Sequence, residues 1–140
     1  MKTLRILTVA LLLSGLGLAF ISMTTPQRQK MPEPWEVPDE YKNMENPVEA
    51  TDASIKRGQS LYKRMCASCH GREGLGDGPK ARVLKTFSGD FSGDKYQDQT
   101  DGEHFYKTKF GRGEMPAYKR VPDEDIWHMV NYMRTFKAEE

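Results

Sequence analysis

Cys66-Ala67-Ser68-Cys69-His70 sets two thiols three residues apart and places an imidazole directly after the second. On a helix, residues three and four apart share a face, so Cys66, Cys69 and His70 would all point the same way. Two thiols on one face can form thioethers with the two vinyl groups of a haem lying across it. The adjacent imidazole can then take the iron from below. C-x-x-C-H is the attachment pattern of a c-type haem. The chain has two cysteines in all, so this one motif accounts for its thiol chemistry.

Other chemistries use similar residues. A thioredoxin-like C-x-x-C pair needs a βαβ setting, and no strand-rich segment surrounds this one. Structural zinc needs four ligands, and His104 and His128 form no second knuckle. The plainest alternative is a pair of packed cysteines or a short disulfide. The specificity of the five-residue pattern favours haem over all three.

An iron held by His70 has one more axial site, and its occupant separates a carrier from a catalyst. The candidate is Met115 in Gly111-Arg112-Gly113-Glu114-Met115-Pro116. A glycine-flanked loop can swing a thioether over the haem face, and the following proline fixes the loop's shape. Of the eight methionines, Met129 and Met133 fit the apolar face of a helix. Met65 adjoins Cys66 and cannot reach the opposite haem face. His104 and His128 fall inside expected helices, where surface or packing roles are commoner.

The elements that must position these groups read as all-α. Asp52-Ala53-Ser54 offers N-cap candidates for a first helix running to about Cys66. Gly58 on that helix leaves room for close approach of another. Gly71, Gly74, Gly76 and Gly78 then make a turn-rich loop. No strand precedes it and no Gly-Lys-Ser/Thr follows, so phosphate binding is disfavoured and folding tightly around a haem edge is expected. Thr100-Asp101-Gly102-Glu103 has capping-box spacing and opens a helix toward Lys109. The last helix begins near Pro122, with Asp123, Glu124 and Asp125 in its first turn and Arg134 and Lys137 in its last. Ile126, Met129, Val130 and Met133 form its apolar face.

Three regions follow: 1–23, 24–50 and 51–140. Lys2 and Arg5 precede an apolar run from Ile6 to Met23, the pattern of a signal peptide or an N-terminal membrane anchor. Either fate implies export. Pro26, Pro32, Pro34, Pro38 and Pro47 make residues 24–50 a proline-rich linker, extended at about 3 Å per residue. Trp35 and Tyr41 are unusual for a purely solvated tether, so part of this arm is expected to lie on the domain. A net charge of +1 gives no case for nucleic-acid binding. A hydrophobic content of 37% is lean for a small core, which a buried haem would staple.

Together these residues resemble the class I monohaem cytochrome c family over about the last ninety residues. The match lies in Gly58 and Tyr62, the Cys66–His70 motif, Gly78-Pro79, Gly113-Glu114-Met115-Pro116 and Met129-Val130-Asn131-Tyr132. The resemblance implies the cytochrome c fold, with helices packed around one covalently attached haem c and the first and last helices crossing at Gly58 against Tyr132. It implies that the Pro79 carbonyl accepts a hydrogen bond from His70, and that Trp127 packs near the haem. Ordinary core packing explains Trp127 equally well. The export segment, proline-rich arm and domain are similar in order to small bacterial respiratory cytochromes. That implies a periplasmic protein, an inner-membrane anchor in one of the two fates, and redox partners such as a quinol-oxidising complex and a terminal oxidase.

The expectation is a one-electron carrier with His70/Met115 ligation and no enzyme activity. Lys80, Arg82, Lys85, Lys107, Lys109, Arg112, Lys119 and Arg120 flank the two ligand loops and could steer acidic partners. The rivals are a haem enzyme or gas sensor with an open distal site, and a fixed haem subunit of a larger membrane redox complex.

Overall fold

The computed structural model describes residues 29–137. The expected signal peptide or anchor over 1–23 lies outside the described residues. Among the described residues six α-helices follow in order: α1 (Asp39–Lys42), α2 (Asp52–Met65), α3 (Ala67–His70), α4 (Asp94–Gln97), α5 (Asp101–Phe110) and α6 (Asp123–Arg134). A 3₁₀ turn covers Ala81–Val83. Among the described residues no strand forms; two isolated bridges, Lys30 with Thr86 and Arg112 with Met115, are the extended pairings.

Helix boundaries follow their caps. The Thr51 hydroxyl accepts from the Ser54 amide at 3.2 Å, so α2 is capped just upstream of the expected candidates. Both halves of the Thr100/Glu103 capping box form at the start of α5, which satisfies two amides that a helix leaves unpaired. Pro122 is the N-cap of α6, with ψ 142, rather than its first helical residue. Arg134 stays in the last turn, whereas Lys137 falls beyond it.

The central packing is α2 across α6. A Cβ on Gly58 would sit 1.9 Å from the His128 carbonyl oxygen and 2.9 Å from Tyr132 Cβ. Only a residue without a side chain permits this approach. Tyr62, Ile126, Met129 and Val130 are fully buried at the crossing, each contributing about 1.5–3 kcal/mol through burial. Tyr62 meets Tyr132 edge-on at 5.4 Å and Phe136 at 5.3 Å.

The proline-rich arm is not a free spacer over residues 29–50. Val37 is buried. Tyr41 packs on Tyr106 at 4.8 Å and Phe110 at 5.6 Å. Its carbonyl lies so close to α5 that a Cβ on Gly102 would meet it at 1.8 Å. Farther along, buried Asn131 donates to the Val48 carbonyl at 3.0 Å and to Ser54 Oγ at 2.8 Å, and accepts from Asn46 at 2.8 Å. Prolines prevent helix over most of the arm, but its few large side chains bury enough surface to offset the entropy of ordering it.

Candidate functional site

The cysteine motif spans a helix break. α2 stops at Met65, and Cys66, with φ −112 and ψ −40, caps both α2 and α3. α2 thus ends where expected, near Cys66, and on the short helix that follows it the His70 amide donates to the Cys66 carbonyl at 3.0 Å, so the i, i+4 relation holds. Cys66 and Cys69 are free and, like His70, half-buried. Burial, then the neighbouring Cys69, pushes the Cys66 thiol up to about 12.

The glycine loop wraps back over this turn. The amides of Gly76, Gly78 and Lys80 donate to the carbonyls of His70, Cys69 and Ser68 at 2.8, 3.2 and 2.8 Å. A Cβ on Gly78 would fall 2.5 Å from the Ser68 oxygen. Tyr62, from the core of α2, donates its hydroxyl to the Gly71 carbonyl at 2.9 Å. The motif is thus clamped from both sides along its backbone, with its reactive side chains half-buried.

His70 Nδ1 is buried without a hydrogen-bond partner. The bond to the Pro79 carbonyl that the family resemblance implies is therefore not formed in this structure. Burial lowers the imidazole to about 4, with the Ser88 backbone acting the other way, so the ring is neutral near pH 7 and its lone pair is available to a metal. Its ring packs on Phe91 at 4.6 Å. Phe91 stacks on Tyr96 at 4.1 Å, and Tyr96 on His104 at 4.1 Å. None of these three was singled out for this role by spacing, because they meet only through the tertiary fold.

Met115 sits in a tight, well-tied loop. Its backbone pairs with that of Arg112 in both directions at 3.0 Å, between Gly111 and Gly113 at φ 60 and 58. A Cβ on Gly111 would lie 2.6 Å from the Met115 oxygen. The Glu114 carboxylate accepts from the amides of Lys85 and Thr86, each at 3.0 Å. Tyr118 donates to the Met65 carbonyl at 2.7 Å, and burial together with the nearby Cys66 and Cys69 thiols pushes its phenol up to about 12. The methionine loop is thereby fastened beside the cysteine turn.

Two of the remaining candidates, Trp127 and His128, have clear structural partners. Trp127 is buried and stacked on Phe105 at 4.2 Å, an ordinary core arrangement. His128 Nδ1 lies 2.8 Å from Ser54 Oγ. His104 is 2% exposed with Nε2 unpartnered, and burial is the main cause that lowers it to about 3.

Two thiols and a neutral imidazole on one half-buried turn, with a thioether loop tied to the residue before it, form a donor set that fits a haem. The buried Nδ1 of His70 is left without a hydrogen bond, an unpaired polar atom at the centre of this donor set. Cys66 and Cys69 would hold the vinyl edge, and His70 and Met115 are the candidate iron ligands.

Comparison with known proteins agrees. Residues 53–133 match the family described as cytochrome c oxidase, cbb3-type, subunit III. No match was found among curated proteins. Among solved structures the chain is similar to a chain of the reducing HAO-like protein complex of Kuenenia stuttgartiensis. Identity there is 26% and the TM-score 0.58, over 76% of this chain and 52% of that one. The chain therefore spans about half the length of that relative. The family match covers more than half of this sequence and both ligand loops; the protein belongs to this family of c-type cytochromes, an all-α haem-binding domain whose work is electron transfer.

Proposed function

We propose that the protein is a one-electron carrier with a single haem c, joined covalently through Cys66 and Cys69 and ligated by His70 and Met115. The observation that carries this reading is the fastening of the Met115 loop beside the cysteine turn by the Tyr118 bond to Met65. When bound, the haem supplies an Fe(III)/Fe(II) couple. The chain's part is to hold both ligands fixed through the redox change and to keep water from the iron. Thioether ligation and burial both favour the reduced state. A carrier needs no substrate pocket and no acid–base pair, so we read the protein as a carrier rather than an enzyme.

Partners would dock where the ligand loops reach the surface. Lys80, Arg82 and Lys85 on one side, and Lys119 and Arg120 on the other, are exposed; Arg112 is engaged by the carbonyls of Glu33 and Pro34. Lys107 and Lys109 are not free, since they are engaged by Gln99 and Asp123. Val83, on the 3₁₀ turn, is 81% exposed among the first group. An apolar tip among cations suits an acidic redox partner of the respiratory chain, such as a quinol-oxidising complex or a terminal oxidase. Such partners, and the export pattern at the N-terminus, place the protein in the periplasm in this reading. The N-terminal segment would serve as signal peptide or membrane anchor.

A second reading, a fixed subunit of a membrane redox complex, is favoured by the family's description as an oxidase subunit and by the relative's membership of a protein complex. Stoichiometric membrane subunits co-purifying in mild detergent would support it. The carrier reading is tested by optical spectra of the oxidised and reduced holoprotein, with carbon monoxide added to the reduced form. A six-coordinate spectrum indifferent to carbon monoxide supports His70/Met115 ligation; ready binding would put the enzyme or sensor reading ahead.

A further inference from the structure

The arm and the methionine loop meet through more contacts than a spacer needs. The Arg112 guanidinium lies 4.6 Å over the Trp35 ring. It also donates to the carbonyls of Pro34 at 2.8 Å and Glu33 at 2.7 Å. The backbone of the same Arg112 pairs both ways with Met115. On the loop's other side, Glu114 holds the amides of Lys85 and Thr86. That segment is bound to the arm in turn. The Lys30 amide donates to the Lys85 carbonyl, and the Phe87 amide to the Lys30 carbonyl, both at 2.9 Å. The Gln29 side chain donates to the carbonyls of Ala81 and Leu84. These contacts close a ring that runs from the arm through residues 81–87, Glu114, Met115 and Arg112, and returns to the arm at Trp35.

We infer that Trp35 and Arg112 are positioning residues for Met115, the proline-rich arm acting as a strap that holds the thioether loop shut and sets how readily the sixth iron position opens. The inference rests on the reading of Met115 as distal ligand. The loop needs such support. Gly111 and Gly113 both sit at positive φ, and glycine gives a loop many alternative shapes. The Arg112–Met115 pairing closes the loop on itself but does not anchor it. Its anchors are Glu114, Tyr118 and the Arg112 clamp, and only the last belongs to a separate, peripheral segment. Whatever draws that segment away from the domain would raise the population of loops with the methionine off the iron.

The test uses the full-length holoprotein with Trp35→Ala, Trp35→Phe, Arg112→Leu and the Trp35→Ala/Arg112→Leu double substitution. Two quantities are read: the far-red thioether-to-Fe(III) charge-transfer band of the oxidised form, and the carbon monoxide affinity of the reduced form. Circular dichroism checks that the helices are kept. Apparent affinity for a competing ligand scales with the open fraction. Loss of a cation–π contact and two charge-assisted hydrogen bonds should therefore raise carbon monoxide affinity about fivefold to tenfold and weaken the band. Trp35→Phe should retain most of the parent behaviour, and the double variant should not exceed the larger single effect by more than a little, since the two residues act as one unit. Parent-like band and affinity in both Trp35→Ala and Arg112→Leu, with the band present in the parent, would overturn the strap while leaving Met115 as ligand. A parent without the band that takes carbon monoxide freely would overturn the Met115 reading itself, and the strap with it.

Discussion

The hydroxyl of Tyr118 donates a 2.7 Å hydrogen bond to the carbonyl of Met65, which joins the loop carrying one candidate ligand to the last residue before the cysteine turn. Sequence separation between the two is 53 residues, so the bond is a tertiary tie across the site. Tyr118→Phe removes the donor, keeps the ring, and leaves the Met65 carbonyl short of a partner. The expected loss is about 1 kcal/mol, read as a fall of about 4–8 °C in the thermal midpoint of the holoprotein. An unchanged midpoint would mean that water replaces the phenol at no cost.

The crossing of α2 and α6 should be the least tolerant point of the fold. At Gly58 the first atom of any side chain would overlap the His128 carbonyl, a backbone atom that cannot rotate aside. Gly58→Ala should cost about 3 kcal/mol or more through forced separation of the two helices, despite alanine's higher helix propensity. Chemical denaturation of the holoprotein measures it. A stabilised variant would show that the helices can move apart freely.

Much of this was legible in the sequence because it depends on local spacing. The Cys66–His70 turn, the Thr100/Glu103 box and the buried face Ile126, Met129, Val130 and Met133 are each written within one or two helical turns, and Gly58 against Tyr132 followed from the family resemblance. What spacing could not show are contacts between distant segments. Asn131 binding Val48 and Asn46, Arg112 over Trp35, and Phe91 against His70 join residues 21 to 85 positions apart. Prolines mark residues 24–50 as extended, since they report what the backbone cannot do, while Trp35 and Tyr41 point to contact with the domain, and Tyr41 does pack on Tyr106 and Phe110. Burial of Val37 is the part that no spacing signalled.

His104 should make the protein acid-sensitive. Its folded value, about 3, lies below the ordinary histidine value of 6.5 because burial disfavours the charged ring, with Arg134 and Lys107 adding repulsion. Between these values the unfolded chain binds the proton and the folded chain does not. Stability from this group is thus fully present above about pH 6.5 and falls as pH drops toward 3, by about 1.4 kcal/mol per pH unit at most. Denaturant midpoints of the holoprotein measured from pH 7 to pH 4 should show this slope, and His104→Gln should flatten it. An equally steep slope in the variant would assign the acid sensitivity to other groups.

The two thiols should contribute separately to haem retention. Cys66→Ala or Cys69→Ala leaves one thioether, and the double substitution leaves none, with His70 and Met115 still present. Mass spectrometry of denatured protein should show haem-sized added mass in the parent and in whatever single variants mature, and none in the double variant. Haem mass surviving in the double variant would exclude thioether attachment at this motif.

Charge at the ligand loops should govern the rate of partner encounter more than the potential. Lys80, Arg82 and Lys85 are exposed, and the nearby Glu114 carboxylate, bound to backbone amides, offsets only part of their charge. Attraction between exposed charges is screened beyond about 8 Å at physiological ionic strength. Reversing all three to Glu should therefore lower the association rate with an acidic redox partner about tenfold or more at low salt, with the gap closing as salt is raised. The reduction potential should move little, because these side chains face water rather than the iron ligands. Stopped-flow rates across an ionic-strength series separate the two effects. Rates independent of salt in the parent would remove electrostatic steering from the account, and docking would then have to rest on apolar contact at Val83.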